Sequence, residues 1–233
     1  MLKKYADGQV LLVNKPLRWT SFDIVNKLNF QLRCKVGHAG TLDPLASGLL
    51  IICCGKFTKR ISEFQNQEKE YTGTFFLGAT TPSFDLETEP ENFLDTSSIS
   101  EQQIIDTAKT FIGDVMQSPP AYSSVKKDGE RLYYIARRGE KVEIEKRKVV
   151  LTEFEITKIE LPLIHFRIVC GKGFYVRSLA DDFGKALNNG AYLASLCRTR
   201  IGSYRLSDAV EIDALIDQIK DEKKAEQLSH EGS

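Results

Sequence analysis

No stretch of this 233-residue chain approaches the roughly 20 consecutive apolar residues that a bilayer span requires, and runs such as Leu49–Cys54 fall far short. The opening MLKKYADG has no apolar signal-peptide core. Both absences argue against a membrane role; the cytoplasmic location expected for the chain rests on its cysteines. The five cysteines, Cys34, Cys53, Cys54, Cys170 and Cys197, show neither metal-type pairing nor a disulfide framework, so they are expected to stay reduced. Three histidines, His38, His165 and His230, have no ligand spacing, and no metal is expected. Gly55-Lys56-Phe57 lacks both the hydroxyl residue and the glycine of a phosphate-binding loop, which removes that class of nucleotide binding. Net charge is also missing: 32 basic residues balance 32 acidic ones. That weighs against a nucleic-acid binder, which normally carries a basic surplus.

What is present qualifies the last point, because the charge is segregated. Residues 71–108 hold no Lys or Arg, whereas 123–150 hold nine basic and five acidic residues, 9 − 5 = +4. From Asp208 onward eight acids face three lysines, 3 − 8 = −5. One basic face can therefore survive an overall balance. A composition of 42% hydrophobic and 27% charged residues is that of a globular protein, and the length suits one large domain or two small ones.

Val10–Val13 reads as a strand, and Thr20-Ser21 offers an N-cap to a helix carrying Ile24, Val25 and Leu28 on one face. Cys34–Gly48 reads as a loop feeding the buried strand Leu49–Cys54. Glu70–Leu77 alternates as a half-buried strand, and Thr80–Ser97 reads as a surface connection. Ser98 and Glu101 fit a capping box for a helix to about Ile112. A short helix over Glu130–Arg138, a β-rich Val149–Cys170, a helix over Phe174–Leu187 and a strand at Ala191–Leu196 complete the pass. The tail beyond about Asp221 is expected to be disordered. Without an internal repeat, strands mixed with unevenly placed helices predict an α+β fold.

The most informative stretch is Gly37-His38-Ala39-Gly40-Thr41-Leu42-Asp43-Pro44-Leu45-Ala46-Ser47-Gly48, where glycines let backbone approach a ligand and one carboxylate sits at a turn. Alone it is weak, since Asp-Pro commonly just builds a turn. The stretch resembles the catalytic loop of the tRNA pseudouridine-55 synthase family, the TruB type. Further blocks resemble that family in its order: Lys15-Pro16, Lys69-Glu70-Tyr71, Pro119–Lys126, Gly171–Arg177 and Leu196–Gly202. The likeness covers about residues 9–207.

The resemblance implies a pseudouridine synthase fold, a mixed and mostly antiparallel sheet flanked by helices around a catalytic cleft. It implies a catalytic domain over 1–210, with an RNA-gripping insertion at about 117–148, then a short helix and charged tail over 211–233. It casts Asp43 as the nucleophile, which must be ionised at the target uridine, and Arg177 as its cationic partner. Tyr71 is the residue expected to stack on the target base and to take part in proton transfer. By the same resemblance His38 is expected to fill the space of the flipped nucleotide, and Leu196 to line the uracil pocket. Lys15, Tyr175, Lys126 and Arg131 are expected at the substrate. The implied partner is the T-stem-loop of tRNA, bound by a monomer without cofactor or metal.

The sequence departs from the family after Leu77-Gly78, where Pro82 replaces an acid and Thr88 a glycine, leaving Asp85 a possible site residue. Many members also carry a C-terminal PUA domain, and this chain ends too early for one. Two other readings compete: an RNA-binding module without catalysis, which would not need Asp43, Tyr71 and Arg177 together, and an aspartate-dependent phosphoryl hydrolase. The latter wants a second acid beside Asp43 for Mg²⁺, and Pro44 and Leu45 follow instead.

Overall fold

A computed structural model describes residues 2–123, 125–127, 129–140 and 143–231. Ser124, Asp128, Lys141 and Val142 of the 117–148 segment, and Gly232 and Ser233 of the expected tail, lie outside the described residues. In chain order the elements are α1 (Lys3–Asp7), β1 (Gln9–Lys15), α2 (Ser21–Leu32), β2 (Val36–His38), β3 (Ala46–Cys54), α3 (Ile61–Gln65) and β4 (Lys69–Leu77). Then come α4 (Glu101–Thr110), β5 (Gly113–Gln117), β6 (Lys126–Lys127), β7 (Glu130–Arg131), α5 (Leu132–Arg137), β8 (Arg147–Glu160) and β9 (Leu163–Cys170). The last are α6 (Val176–Ala186), β10 (Ala191–Ile201), β11 (Tyr204–Arg205), β12 (Val210–Glu211) and α7 (Ile212–Glu231).

The chain divides into two compact units, one of residues 1–70 with 197–233 and one of residues 71–196. In the first, β1 pairs antiparallel with β3 and parallel with β12, while β2 adds to β3. The unbroken apolar run of β3 reflects burial on both faces. Leu50, Ile52 and Cys54 pack with Ile24, Val25, Leu28 and Leu32 of α2 and with Ile212, Leu215, Ile216 and Ile219 of α7. Leu49, Ile51 and Cys53 point the other way, to Phe64 and Ile201. Each such side chain fully buried is worth about 1.5–3 kcal/mol, so β3 is the seam of the unit.

The second unit is ordered by β9 and β8, paired antiparallel, with β5 beyond them. Its centre is aromatic: Phe75 lies 4.2 Å from Phe166 and 5.6 Å from Phe183 between ring centroids, with Phe154 and Phe111 around them. The α+β class read from the mix of strands and helices is as expected, and so is the mixed, mostly antiparallel sheet that the resemblance implied.

Some boundaries differ from the sequence reading. The N-cap of α4 is Ser100, boxed with Gln103, rather than Ser98 with Glu101; both pairs satisfy the spacing, and the helix starts two residues later. The presumed loop Cys34–Gly48 contains β2, which finds backbone partners on β3. The chain over Glu130–Arg131 is one side of a two-residue hairpin, so α5 begins only at Leu132. Thr80–Ser97 is not merely a surface connection: Thr81, Ser83 and Asp85 are buried, and Asp85 bridges Leu193. Helix α7 continues through Glu231, well past Asp221. Its polar second half is rich in good helix formers and is supported by the pairs Asp217–Lys220, Asp221–Lys224 and Lys4–Glu222.

Candidate functional site

The Gly37–Gly48 segment owes its shape to polar side chains that grip its backbone. His38 ends β2 opposite Ile52, and the Ala39 N–H still donates to Ile51 O at 2.9 Å. The chain then leaves the sheet at Gly40, whose φ of 104° favours glycine. Arg198, 1% exposed, donates from Nη2 to Gly40 O at 3.1 Å and from Nε to Leu49 O at 2.8 Å, so one guanidinium holds both sides of the loop. Ser21 Oγ accepts from Leu42 N at 2.8 Å and donates to Leu42 O at 3.1 Å. Arg18 N–H donates to Pro44 O at 2.7 Å, and Ala46 N–H donates to Asp43 O at 3.0 Å, closing the turn. Asp43 sits half-buried between these fixed points. Gly48 returns the chain to β3 so close to β10 that a β-carbon would lie 2.4 Å from Arg198 O.

Two neighbours of this loop carry perturbed protonation. Lys15 is wholly buried, with Nζ donating to Pro16 O at 2.9 Å and Trp19 O at 2.6 Å. Burial pulls its ammonium down to about 8; the Asp43 carboxylate opposes that shift and the Arg198 guanidinium adds to it. With its ammonium enclosed, Lys15 braces the turn between β1 and α2. Burial, and then the Arg198 charge, lower His38 below its ordinary value against an opposing backbone contact with Gly40, so the imidazole is neutral at pH 7; its buried Nδ1 has no hydrogen-bond partner among the described residues.

In the second unit, Tyr71 lies on the buried face of β4, and Leu196 lies half-buried on β10. Arg177 occupies the first turn of α6, 4% exposed, its Nη1 donating to Tyr122 O at 3.0 Å and its Nε 3.6 Å from Asp85 Oδ2. Asp85 is itself 5% exposed, and its Oδ1 accepts the Glu87 N–H at 2.9 Å. The buried acid in the divergent loop is therefore built against the arginine that the resemblance singled out. Tyr175, the N-cap of α6, exchanges two backbone bonds with the Gln117 amide, at 2.7 and 2.9 Å. Ser178 Oγ donates to Ser118 O at 2.7 Å, so the Ser118–Tyr122 turn is fastened to the start of α6. Lys126 and Arg131 face each other across the β6–β7 hairpin, both exposed and without an ion pair among the described residues. Arg137 and Arg138, by contrast, are engaged by Glu87, Glu130 and Glu140.

The structure thus gathers Lys15, His38, Asp43 and Arg198 in one unit, and Asp85, Tyr122 and Arg177 in the other. Sequence reasoning missed Ser21 and Arg198. The latter stood inside the matched Leu196–Gly202 block, and that position was the only hint of it. Among the described residues no three His, Cys, Asp or Glu side chains gather as a metal-binding set, and no helix is long and apolar enough to cross a membrane.

Residues 26–176 match the TruB family pseudouridylate synthase N-terminal domain, and residues 177–230 the tRNA pseudouridylate synthase B C-terminal domain. The chain is 57% identical over 218 residues to a tRNA pseudouridine synthase B of Flavobacterium johnsoniae, covering 90% of this chain and 95% of the relative. It is 46% identical over 234 residues to the protein of the same description from Phocaeicola vulgatus, covering 97% and 99%. Among solved structures, a Cbf5–Nop10–Gar1 complex aligns with a TM-score of 0.72 at 27% identity, over 93% of this chain and 56% of that one. An H/ACA ribonucleoprotein bound to a substrate RNA containing 2′-deoxyuridine aligns with a TM-score of 0.70 at 25% identity, over 93% and 55%. The chain thus spans little more than half the length of those two structures' chains.

Proposed function

Because this chain belongs to the TruB family of pseudouridylate synthases, we propose that it isomerises the uridine at position 55, in the T-loop of tRNA, with Asp43 as the nucleophile. Isomerisation of a uridine in tRNA is the activity by which its curated relatives are named. The finer reading adds the T-loop position, the nucleophile and the eversion of the base.

The reaction breaks the bond from C1′ to N1 and forms one from C1′ to C5; the C5 proton leaves and N1 acquires one. Nothing is oxidised, so the chemistry asks for a nucleophile, a proton carrier and a pocket. Asp43 is the nucleophile. Tyr71 stacks on the uracil and serves the proton transfer, and Leu196 gives the pocket an apolar wall. Arg177, braced by Asp85 at 3.6 Å, supplies the cation that the resemblance assigns to the nucleophile. Eversion costs a few kcal/mol of lost stacking, and His38, neutral at pH 7, fills the vacated space without adding a charge. Lys126 and Arg131, exposed side by side, suit contacts to phosphates.

The support that weighs most is the fixing of the Asp43 turn at Gly40, Leu42 and Pro44, since a nucleophile must be held within about half an ångström of its working position. The test is Asp43→Asn with an unmodified T-stem-loop, mapping pseudouridine chemically. Product is expected to vanish while RNA binding persists; normal turnover by the variant would remove Asp43 from the mechanism.

A further inference from the structure

Arg18 lies in the turn between β1 and α2 with φ of 66°, a left-handed backbone that a side chain of its size rarely adopts. The bond from its N–H to Pro44 O at 2.7 Å holds it there, one residue from Asp43 in the chain it grips. The side chain is exposed and makes no hydrogen bond or ion pair with any described residue. Beside it a recess of about 370 Å³ is lined by Arg18, Trp19, Asp23, Asn26 and Lys27.

The charges in this recess are largely committed. Asp23 Oδ2 accepts from Thr20 N at 2.8 Å and from Thr20 Oγ1 at 2.7 Å, as the capping box of α2. Lys27 Nζ pairs with Asp213 Oδ1 at 2.6 Å and lies 5.0 Å from the centroid of the Trp19 ring. What remains available is one guanidinium and the exposed Asn26 amide, beside the uncovered part of a half-buried indole. An anion with a planar ring and hydrogen-bonding edges matches that set: phosphate for the arginine, a base or sugar for the indole, and an edge for the amide.

We propose that this recess is a subsite for one nucleotide of the substrate RNA flanking the reacting uridine, with its phosphate on Arg18. The inference rests on the RNA reading above and adds a contact at the foot of the Asp43 loop, remote in sequence from the basic 126–138 segment. It also gives the strained backbone a purpose. The left-handed turn lets the N–H fasten the loop while the side chain stays in solvent, so loop geometry and phosphate contact are set by one residue.

The test compares wild type, Arg18→Gly and Arg18→Lys in filter binding of the unmodified T-stem-loop across a salt series. Glycine adopts φ of 66° readily, so Arg18→Gly deletes the side chain and keeps the turn. Losing one phosphate contact should weaken binding about five- to tenfold at 0.1 M salt and reduce the log–log salt slope by about 0.7–0.9, while Arg18→Lys keeps the slope. Asn26→Ala, on the exposed face of α2, should weaken binding about two- to threefold and leave the slope alone, as a neutral contact would. Unchanged affinity and slope in Arg18→Gly, with wild type binding in a salt-dependent way, would overturn the subsite alone. Failure of wild type to bind the RNA would instead bring down the RNA reading, and the subsite with it.

Discussion

Replacing Arg198 by methionine should cost stability and turnover together, by amounts that follow from its bonds. The guanidinium is 1% exposed and serves two backbone carbonyls, Gly40 O at 3.1 Å and Leu49 O at 2.8 Å. A hydrogen bond from a charged donor contributes about 1.5–3 kcal/mol, and a buried carbonyl left without a donor costs about 1–3 kcal/mol. Relief from holding a buried charge offsets part of this, so a net loss of about 3 kcal/mol is expected. For a chain of this length that lowers Tm by about 6–12 °C, read by circular dichroism. The effect on chemistry should be larger than the effect on binding. Gly40 and Leu49 flank Asp43, and a displacement of about 1 Å at a reacting group can cost about 100-fold in rate. We therefore expect kcat on a T-stem-loop to fall about 100-fold with KM little changed. Arg198→Lys, which keeps the charge but cannot straddle both carbonyls, should fall between. A methionine variant with wild-type Tm and kcat would refute the idea that this side chain sets the loop.

Asp85→Asn should destabilise the second unit by about 3 kcal/mol, because it strips a buried guanidinium of a carboxylate; an unchanged denaturation midpoint would show the pair to be dispensable. His38 predicts a pH effect of definite sign. Its proton affinity is lowered in the fold by burial and by Arg198, so below a pH of about 6.5 the unfolded chain binds a proton that the folded one refuses, and stability falls as pH drops. Urea unfolding from pH 7 to 5 should show wild type losing stability relative to His38→Gln. Parallel curves would mean that the imidazole is solvated.

The legible parts of the fold were those carried by local signals. Leu49–Cys54 reads as a buried strand because six apolar residues in a row leave little else for it to be, and Thr20 reads as a cap because its side chain needs only the N–H of Asp23 three residues on. Where two local signals compete, as with Ser98 and Ser100, sequence offers no tie-breaker. The site was legible as far as its motif reached: Asp43, Tyr71 and Arg177 were found through ordered blocks, and their assigned roles remain those of the resemblance. Asp85 was seen as a possible site residue, but an acidic, proline-bearing stretch gave no reason to expect that it would be buried at 5% exposure.

Arg198, Ser21 and Lys15 have one thing in common. Each carries a polar group that reads from sequence as available to a ligand, and each spends it on backbone: Arg198 on carbonyls 149 and 158 positions away, Ser21 on Leu42, and Lys15 on Pro16 and Trp19. Side chain to backbone bonds over such separations have no periodicity and no motif, because a carbonyl acceptor belongs to every residue type. Yet they decide whether a glycine-rich loop wanders or stays, since each fixed backbone position removes about 1–2 kcal/mol of conformational entropy that would otherwise be lost at binding. The glycines that make the Gly37–Gly48 motif recognisable are thus the reason it needs Arg198 and Ser21. Freedom of backbone lets the loop adopt its turn, and remote donors then keep it there.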